Sequence, residues 1–144
     1  MDSGGYVSDE ITNQIVEERL ALYEGAEGGL LFASGMAATD IILRAILRPG
    51  DHLIMGHDAY GGTYRLIDSV FTQWGIEFSV VDTTKPQQVA DALRDNTKVV
   101  WLETPTNPLL AITDVAEVAR KIKGSDATLI VDNTFCSPYL QRPL

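Results

Sequence analysis

The sequence predicts an α/β fold, a mostly parallel sheet with flanking helices. Two observations predict it. Segments of strand character alternate with segments of helix character, the order that builds parallel sheets through right-handed crossovers. The last two strand segments, "VVWL" and "TLIV", are near-continuous apolar runs, as strands buried on both faces require.

The elements follow in order. Asp9 to Tyr23 reads as a helix, with Ile11, Ile15, Leu20 and Leu22 as an approximate apolar stripe and Gly25 able to end it. Ser34 to Leu47 is a second helix, capped by Ser34 and stopped by Pro49-Gly50. His52 to Met55 is a short strand. Gly61 to Trp74 reads as helix after a Gly61-Gly62 pair, and Ile76 to Val81 as a strand. Pro86 to Arg94 is a helix with proline in its first turn. Lys98 to Leu102 is a strand running into Glu103. Thr113 to Ile122 is a helix with Gly124 beyond its end, and Thr128 to Val131 is the last strand. In such sheets ligands bind beyond the carboxyl ends of the strands. Glu103 and Asp132 each follow a strand, so two acids are expected near that edge.

With 144 residues the chain is long enough for one domain with a real core. Its net charge of −9, with only 11 lysines and arginines, argues against a nucleic-acid or anionic-membrane surface. No apolar run approaches the ~20 residues that cross a bilayer. The first residues lack the basic and apolar regions of a signal peptide. Cys136 is the one cysteine and cannot form an internal disulfide, so a reducing, cytoplasmic setting is expected. His52 and His57 show no metal-ligand spacing, and no metal site is expected.

Four stretches can carry chemistry, and each also has a plain structural reading. "FASGMAAT" sets Ser34-Gly35 at a helix start, where free N–H groups suit a phosphate; it can equally be a simple cap. "HDAYGGTYR" sets Tyr60 before two glycines, as a stacking aromatic or a surface tyrosine at a turn. "ETPTNP" is a stiff turn that holds Glu103 or Asn107 in one geometry, or a stiff loop and no more. "VDNTF" offers Asp132, as partner to a ligand cation or as a local turn.

Taken together, a phosphate seat, a stacking aromatic, a rigid asparagine and an acid for a ring nitrogen describe a pyridoxal phosphate (PLP) pocket. The stretches "EGAEGGLLFASGMAA", "LRPGDHLI", "YGGTYRL", "NTKVVWLETPTNPLL" and "VDNTFCSPYLQRPL" resemble the Cys/Met-metabolism enzymes, the cystathionine γ-synthase-like group of fold type I (aspartate-aminotransferase-like) PLP enzymes. The resemblance implies that the backbone of Gly35 and Met36 holds the cofactor phosphate. It also implies that Tyr60 stacks on the ring and serves catalysis, that Asp132 bonds the pyridine nitrogen, that Asn107 lies near the ring hydroxyl, and that Thr134 lies under the ring. No G-x-G-x-x-G follows the first strand, which counts against a Rossmann-like nucleotide binder.

The chain also departs from that pattern. The family's Schiff-base lysine belongs to a Ser-x-Thr-Lys motif beyond "LQRPL", and Leu144 precedes it. "DTTK", Asp82 to Lys85, is only superficially similar: it lies before "ETPTNP" and Pro86 follows, so Lys85 is expected to be a loop residue. Near the start, Tyr6 is present but Ser8 stands where the family has arginine. The expectation is therefore an N-terminal segment, 1–15, followed by part of the large PLP-binding domain, 16–144, cut before its lysine.

The resemblance implies transsulfuration in the parent protein: γ-replacement on an activated homoserine by cysteine, giving cystathionine. γ-Elimination of the cystathionine γ-lyase or methionine γ-lyase type is the alternative, and a non-catalytic piece that needs a complementary partner is another. An amino-acid substrate and a homo-oligomer, dimer or tetramer, are implied with it.

Overall fold

The computed structural model describes residues 9–144. Tyr6 and Ser8 lie outside the described residues. Helices α1 (Asp9–Glu24) and α2 (Gly35–Ile46) lead into strand β1 (His52–Gly56). Then come α3 (Gly61–Leu66), β2 (Glu77–Val81), α4 (Pro86–Asp91), β3 (Thr97–Glu103), α5 (Val115–Ile122) and β4 (Thr128–Asp132).

The four strands are all parallel, in the order β2-β1-β3-β4. Alternation along each strand divides the core in two. Leu53 and Met55 of β1, with Val99 and Trp101 of β3, meet Leu43 of α2 and Phe71 on one face. Ile54, Val100 and Leu102 meet Val89 of α4 and Val118 and Ile122 of α5 on the other. The result is a sheet between two helical layers, and burying each leucine- or valine-sized side chain contributes about 1.5–3 kcal/mol.

Local chemistry explains the element ends. Ser34 is extended, and its hydroxyl accepts the Ala37 N–H at 3.1 Å. Asp114 caps α5 by accepting the Glu117 N–H at 2.8 Å, so that helix starts after Asp114 and not at Thr113. α4 stops at Asp91, short of the expected Arg94. There the chain turns over, and the Thr97 hydroxyl accepts the Arg94 N–H at 2.8 Å.

The structure corrects three larger expectations. The helix expected over Gly61–Trp74 is α-helical only to Leu66; Ile67–Phe71 is a π-helical turn and Thr72–Trp74 a 3₁₀ turn, closed by Gly75 at φ 79°. The widened turn buries both Ile67 and Phe71 while Thr63 is buried one turn earlier. β4 is half-buried where β3 is buried, because it takes the sheet edge. The stripe of α1 is exposed, Ile11, Ile15, Leu20 and Leu22 being 44–69% accessible, and Glu17 of α1 accepts the Leu31 N–H at 2.7 Å.

This topology fixes where a ligand can go. β1 has β2 on one side and β3 on the other, so the chain's direction of travel across the sheet reverses there. Loops leaving β1 and β3 diverge at such a point and open a crevice beyond the strand ends. No described helix is long and apolar enough to cross a membrane.

Candidate functional site

The crevice is present. A cavity of about 340 Å³ is lined by Ser34, Gly35, Met36, Tyr60, Glu103, Asn107, Asp132, Thr134 and Phe135. All six residues singled out from the sequence, Gly35, Met36, Tyr60, Asn107, Asp132 and Thr134, line it. They come from four separate stretches and meet only through the fold.

The α2 N-terminus forms one wall. Ser34 takes the Ala37 N–H with its side chain and the Ala38 N–H with its carbonyl, at 3.1 Å each. The N–H groups of Gly35 and Met36 precede the first intrahelical bond and have no partner within the helix. A Cβ added at Gly35 would meet no atom within 4 Å, so the backbone is bare there. Bare N–H groups at the positive end of a 12-residue helix make an anion seat.

Tyr60 leads from β1 into α3. It stands at the cap position of α3 but makes no side-chain cap bond, so its ring is free for another task. The ring lies against Gly62: a Cβ there would fall 2.3 Å from Tyr60 Cε1 and 3.0 Å from Met36 Sδ. The second glycine of the pair thus makes room for the aromatic and the methionine together.

Asp132 ends β4, opposite Glu103 in register. Its Oδ1 accepts the Thr134 hydroxyl at 2.5 Å and the Thr134 N–H at 3.1 Å. Both bonds fall on one oxygen. Oδ2 has no hydrogen-bond partner among the described residues. Thr134, expected beneath a ligand ring, has its hydroxyl engaged in orienting this carboxylate.

Glu103 ends β3 and is 6% exposed. Its Oε2 accepts the Tyr60 N–H at 2.5 Å and its Oε1 the Asn107 N–H at 3.0 Å. Burial pushes its carboxyl above the ordinary value of 4.5. The Tyr60 N–H opposes this, the Asp132 charge adds to it, the Asn107 N–H again opposes it, and Asp58 adds a smaller push upward. Sequence reasoning placed Glu103 at the correct edge and gave it no role in the pocket. The signal was there, an acid at the tip of an apolar strand, the same one that singled out Asp132. Phe135 was missed outright, and nothing in "VDNTF" distinguishes it from a packing residue.

The loop from Thr104 to Thr113 is held by its own threonines. Thr106 donates to Asp58 Oδ2 at 2.5 Å and accepts the Ala111 N–H at 2.9 Å, while Thr104 accepts the Thr113 N–H at 3.0 Å. Thr104–Pro105 and Asn107–Pro108 are cis. Lys85 lies outside the cavity: it pairs with Asp82 at 2.9 Å and its side chain is 65% exposed, as a loop residue. The Asp82 carboxyl sits near 2, held down by the Thr84 hydroxyl and then by Lys85. Among the described residues no cluster of His, Cys, Asp and Glu is placed to hold a metal ion.

Known proteins are similar to this chain in sequence and in fold. The family described as Cys/Met metabolism PLP-dependent enzyme matches residues 7–144. Cystathionine gamma-synthase of Mycobacterium tuberculosis is 48% identical over 133 residues, which cover 92% of this chain and 34% of that protein. Cystathionine gamma-lyase of Bacillus subtilis is 44% identical over 133 residues, 92% of this chain and 35% of that protein. The crystal structure of metB from Corynebacterium glutamicum superposes with a TM-score of 0.91 at 56% identity, covering 98% of this chain and 37% of that one. The chain therefore spans about a third of the length of the curated relatives it matches. Its strand order, its cavity at the reversal point and these likenesses converge: the chain belongs to the Cys/Met-metabolism PLP-dependent enzymes, with their fold type I architecture.

Proposed function

We propose that this chain supplies part of the cofactor-binding domain of a PLP-dependent transsulfuration enzyme. Its parent reaction is γ-replacement on an activated homoserine by cysteine, giving cystathionine. One observation supports the cofactor reading above the rest: Asp132 lines the cavity with Thr134 holding its Oδ1, and its Oδ2 accepts no hydrogen bond from the described residues. A pyridinium N–H is the donor such a carboxylate suits.

The rest of the wall fits PLP as well. The bare N–H groups of Gly35 and Met36 suit its phosphate, the Tyr60 ring its flat face, and Asn107 its ring hydroxyl. When bound, PLP supplies an electron sink for the carbon next to the amino group of an amino-acid substrate. The chain's own residues then have defined tasks. α2 would anchor the phosphate through the N–H groups of its first turn. Tyr60 shields one ring face from water. Asp132 keeps the proton on the ring nitrogen, and Thr134 keeps Asp132 from rotating.

The synthase reading rests on similarity to a named synthase at 48% identity, against 44% for a named γ-lyase. Three assays test the proposal. PLP titrated into the 144-residue chain is expected to quench tyrosine and tryptophan emission in a saturable way. Borohydride treatment of that mixture is expected to leave Lys85 unmodified at stoichiometric level. Full-length protein given an activated homoserine ester and cysteine is expected to form cystathionine. Formation of 2-oxobutyrate from cystathionine, with no condensation, would replace the synthase reading with the γ-lyase one. Absence of any PLP effect would overturn both.

A further inference from the structure

We propose that Glu103 is a positioning residue: one buried carboxylate clamps the Tyr60 loop and the Asn107 loop together and so sets the spacing between two walls of the pocket. The inference rests on the cofactor reading for its consequence, and on geometry alone for the clamp.

The two loops leave different strands. Tyr60 follows β1 and Asn107 follows β3, and no ladder bond reaches that far past the strand ends. What joins them at the cavity is Glu103, with Oε2 on the Tyr60 N–H and Oε1 on the Asn107 N–H. A second tie runs beside it, from the Thr106 hydroxyl to Asp58. Both ties join the same two loops, yet only Glu103 touches the backbone of the residues that line the pocket.

The placement carries a cost that packing alone does not require. Glu103 is 6% exposed, with no lysine or arginine paired to it among the described residues, and Asp132 and Asp58 act on it as like charges. Buried acids are rarely left without a cation. Here two backbone N–H donors take that place. A glutamine has one carbonyl oxygen and one amide, so it can accept from one loop only and would set its N–H₂ against the other N–H. An aspartate keeps both acceptor oxygens but is one methylene short of the donors. Two acceptor oxygens exclude glutamine and the longer reach excludes aspartate, which leaves glutamate.

The test uses amide NMR on the 144-residue chain, free of PLP, from pH 4 to 8. The Tyr60 and Asn107 amide signals are expected to titrate together with one midpoint above the ordinary glutamate value, because one carboxylate serves both. In Glu103→Gln neither is expected to titrate in that window. Separate midpoints in the wild type, or none, overturn the clamp, and this arm does not depend on a variant folding. PLP titration then reads the consequence. Glu103→Gln and Glu103→Asp are expected to raise the PLP dissociation constant about tenfold, the scale of one lost charge-assisted hydrogen bond. They are also expected to weaken the circular dichroism induced in the cofactor band, with unchanged far-ultraviolet spectra. Equal affinity and equal induced signal overturn the proposal. Co-titrating amides in a wild-type chain that ignores PLP would support the clamp and sink the cofactor reading instead.

Discussion

At the scale of single residues, the site depends on a few atoms with no spare partners. Asp132→Asn in the full-length protein replaces a carboxylate oxygen with an amide group, while Thr134 can still orient the side chain. The expected outcome is retained PLP binding with turnover lower by ten- to a hundredfold, the worth of a charge-assisted hydrogen bond of about 1.5–3 kcal/mol. Steady-state kinetics beside a PLP titration check it, and near-wild-type turnover would remove the role. Gly62→Ala tests the Tyr60 ring. The clashing atoms, Tyr60 Cε1 and Met36 Sδ, belong to side chains that can swing away. The expected result is therefore weaker PLP binding with a melting temperature close to wild type; an unchanged affinity would show that the ring position is not needed. These residues were legible in the sequence to different degrees. Asp132, Tyr60 and Asn107 stood beside prolines, glycines or strand tips, which leave a mark in the text. Glu103 left the same mark, but its task is to accept two N–H groups from loops 43 and 4 positions away, and only the first of those spacings needs the fold. The engagement of Thr134 with Asp132 was readable as a local turn, and it is one.

At the scale of elements, caps and edges decide what periodicity cannot. Asp114 caps α5 at the far side of the sheet from the α2 wall of the cavity, and α5 carries Val118 and Ile122 into the core. Asp114→Ala is expected to cost about 1 kcal/mol of stability. That should lower the melting temperature by about 3 °C, with PLP affinity unchanged. An effect on affinity would show that the two helical layers are coupled. The strand segments were legible because β1 and β3 bury both faces and permit little but apolar side chains. The break of α3 into π and 3₁₀ turns was not legible. Thr63, Ile67 and Phe71 keep a four-residue spacing that suits a plain helix equally well, and the choice lies in how the core of α2 and β1 receives them. The exposure of α1 was not legible either, since an apolar stripe says that a face wants cover and not what covers it.

At the scale of the whole molecule, charge and cover set the response to solvent. His52 is buried at the start of β1 and joins three strands, with Nδ1 2.8 Å from the Thr97 hydroxyl and Nε2 3.0 Å from the Ser79 hydroxyl. Burial lowers its pKa below 6.5; Arg94 lowers it further and Glu77 opposes. A depressed folded-state value means that the unfolded chain takes up the proton first. Stability is then complete above the ordinary histidine value and is lost as pH falls below it. Glu103, with a raised value, acts with the opposite sign, losing stability as pH rises past 4.5. Comparing wild type with His52→Gln cancels that second effect. Urea midpoints are expected to fall between pH 7.5 and 5.5 more steeply in the wild type than in the variant; parallel slopes would remove the histidine from the account. Cover is the other global property. Ile11, Ile15, Leu20, Leu22 and Tyr23 of α1 are exposed, as are Tyr139, Leu140 and Leu144 near the last strand. The 144-residue chain is expected to bind ANS or self-associate, measured by fluorescence and sedimentation, and a monodisperse monomer without ANS signal would contradict this.

The sequence by itself determined the class of fold, the order of its elements and the chemical types at the pocket. Apolar alternation, prolines, glycines and caps act over a few residues, and that is the range at which a one-dimensional text is informative. Tertiary structure decided the strand order β2-β1-β3-β4, and with it the reversal at β1 that opens the crevice. It decided that four stretches between Ser34 and Phe135 line one cavity. It also decided that a single buried glutamate ties two of their loops. Those outcomes come from packing two apolar faces against helices, a condition met by the chain as a whole and by no segment of it.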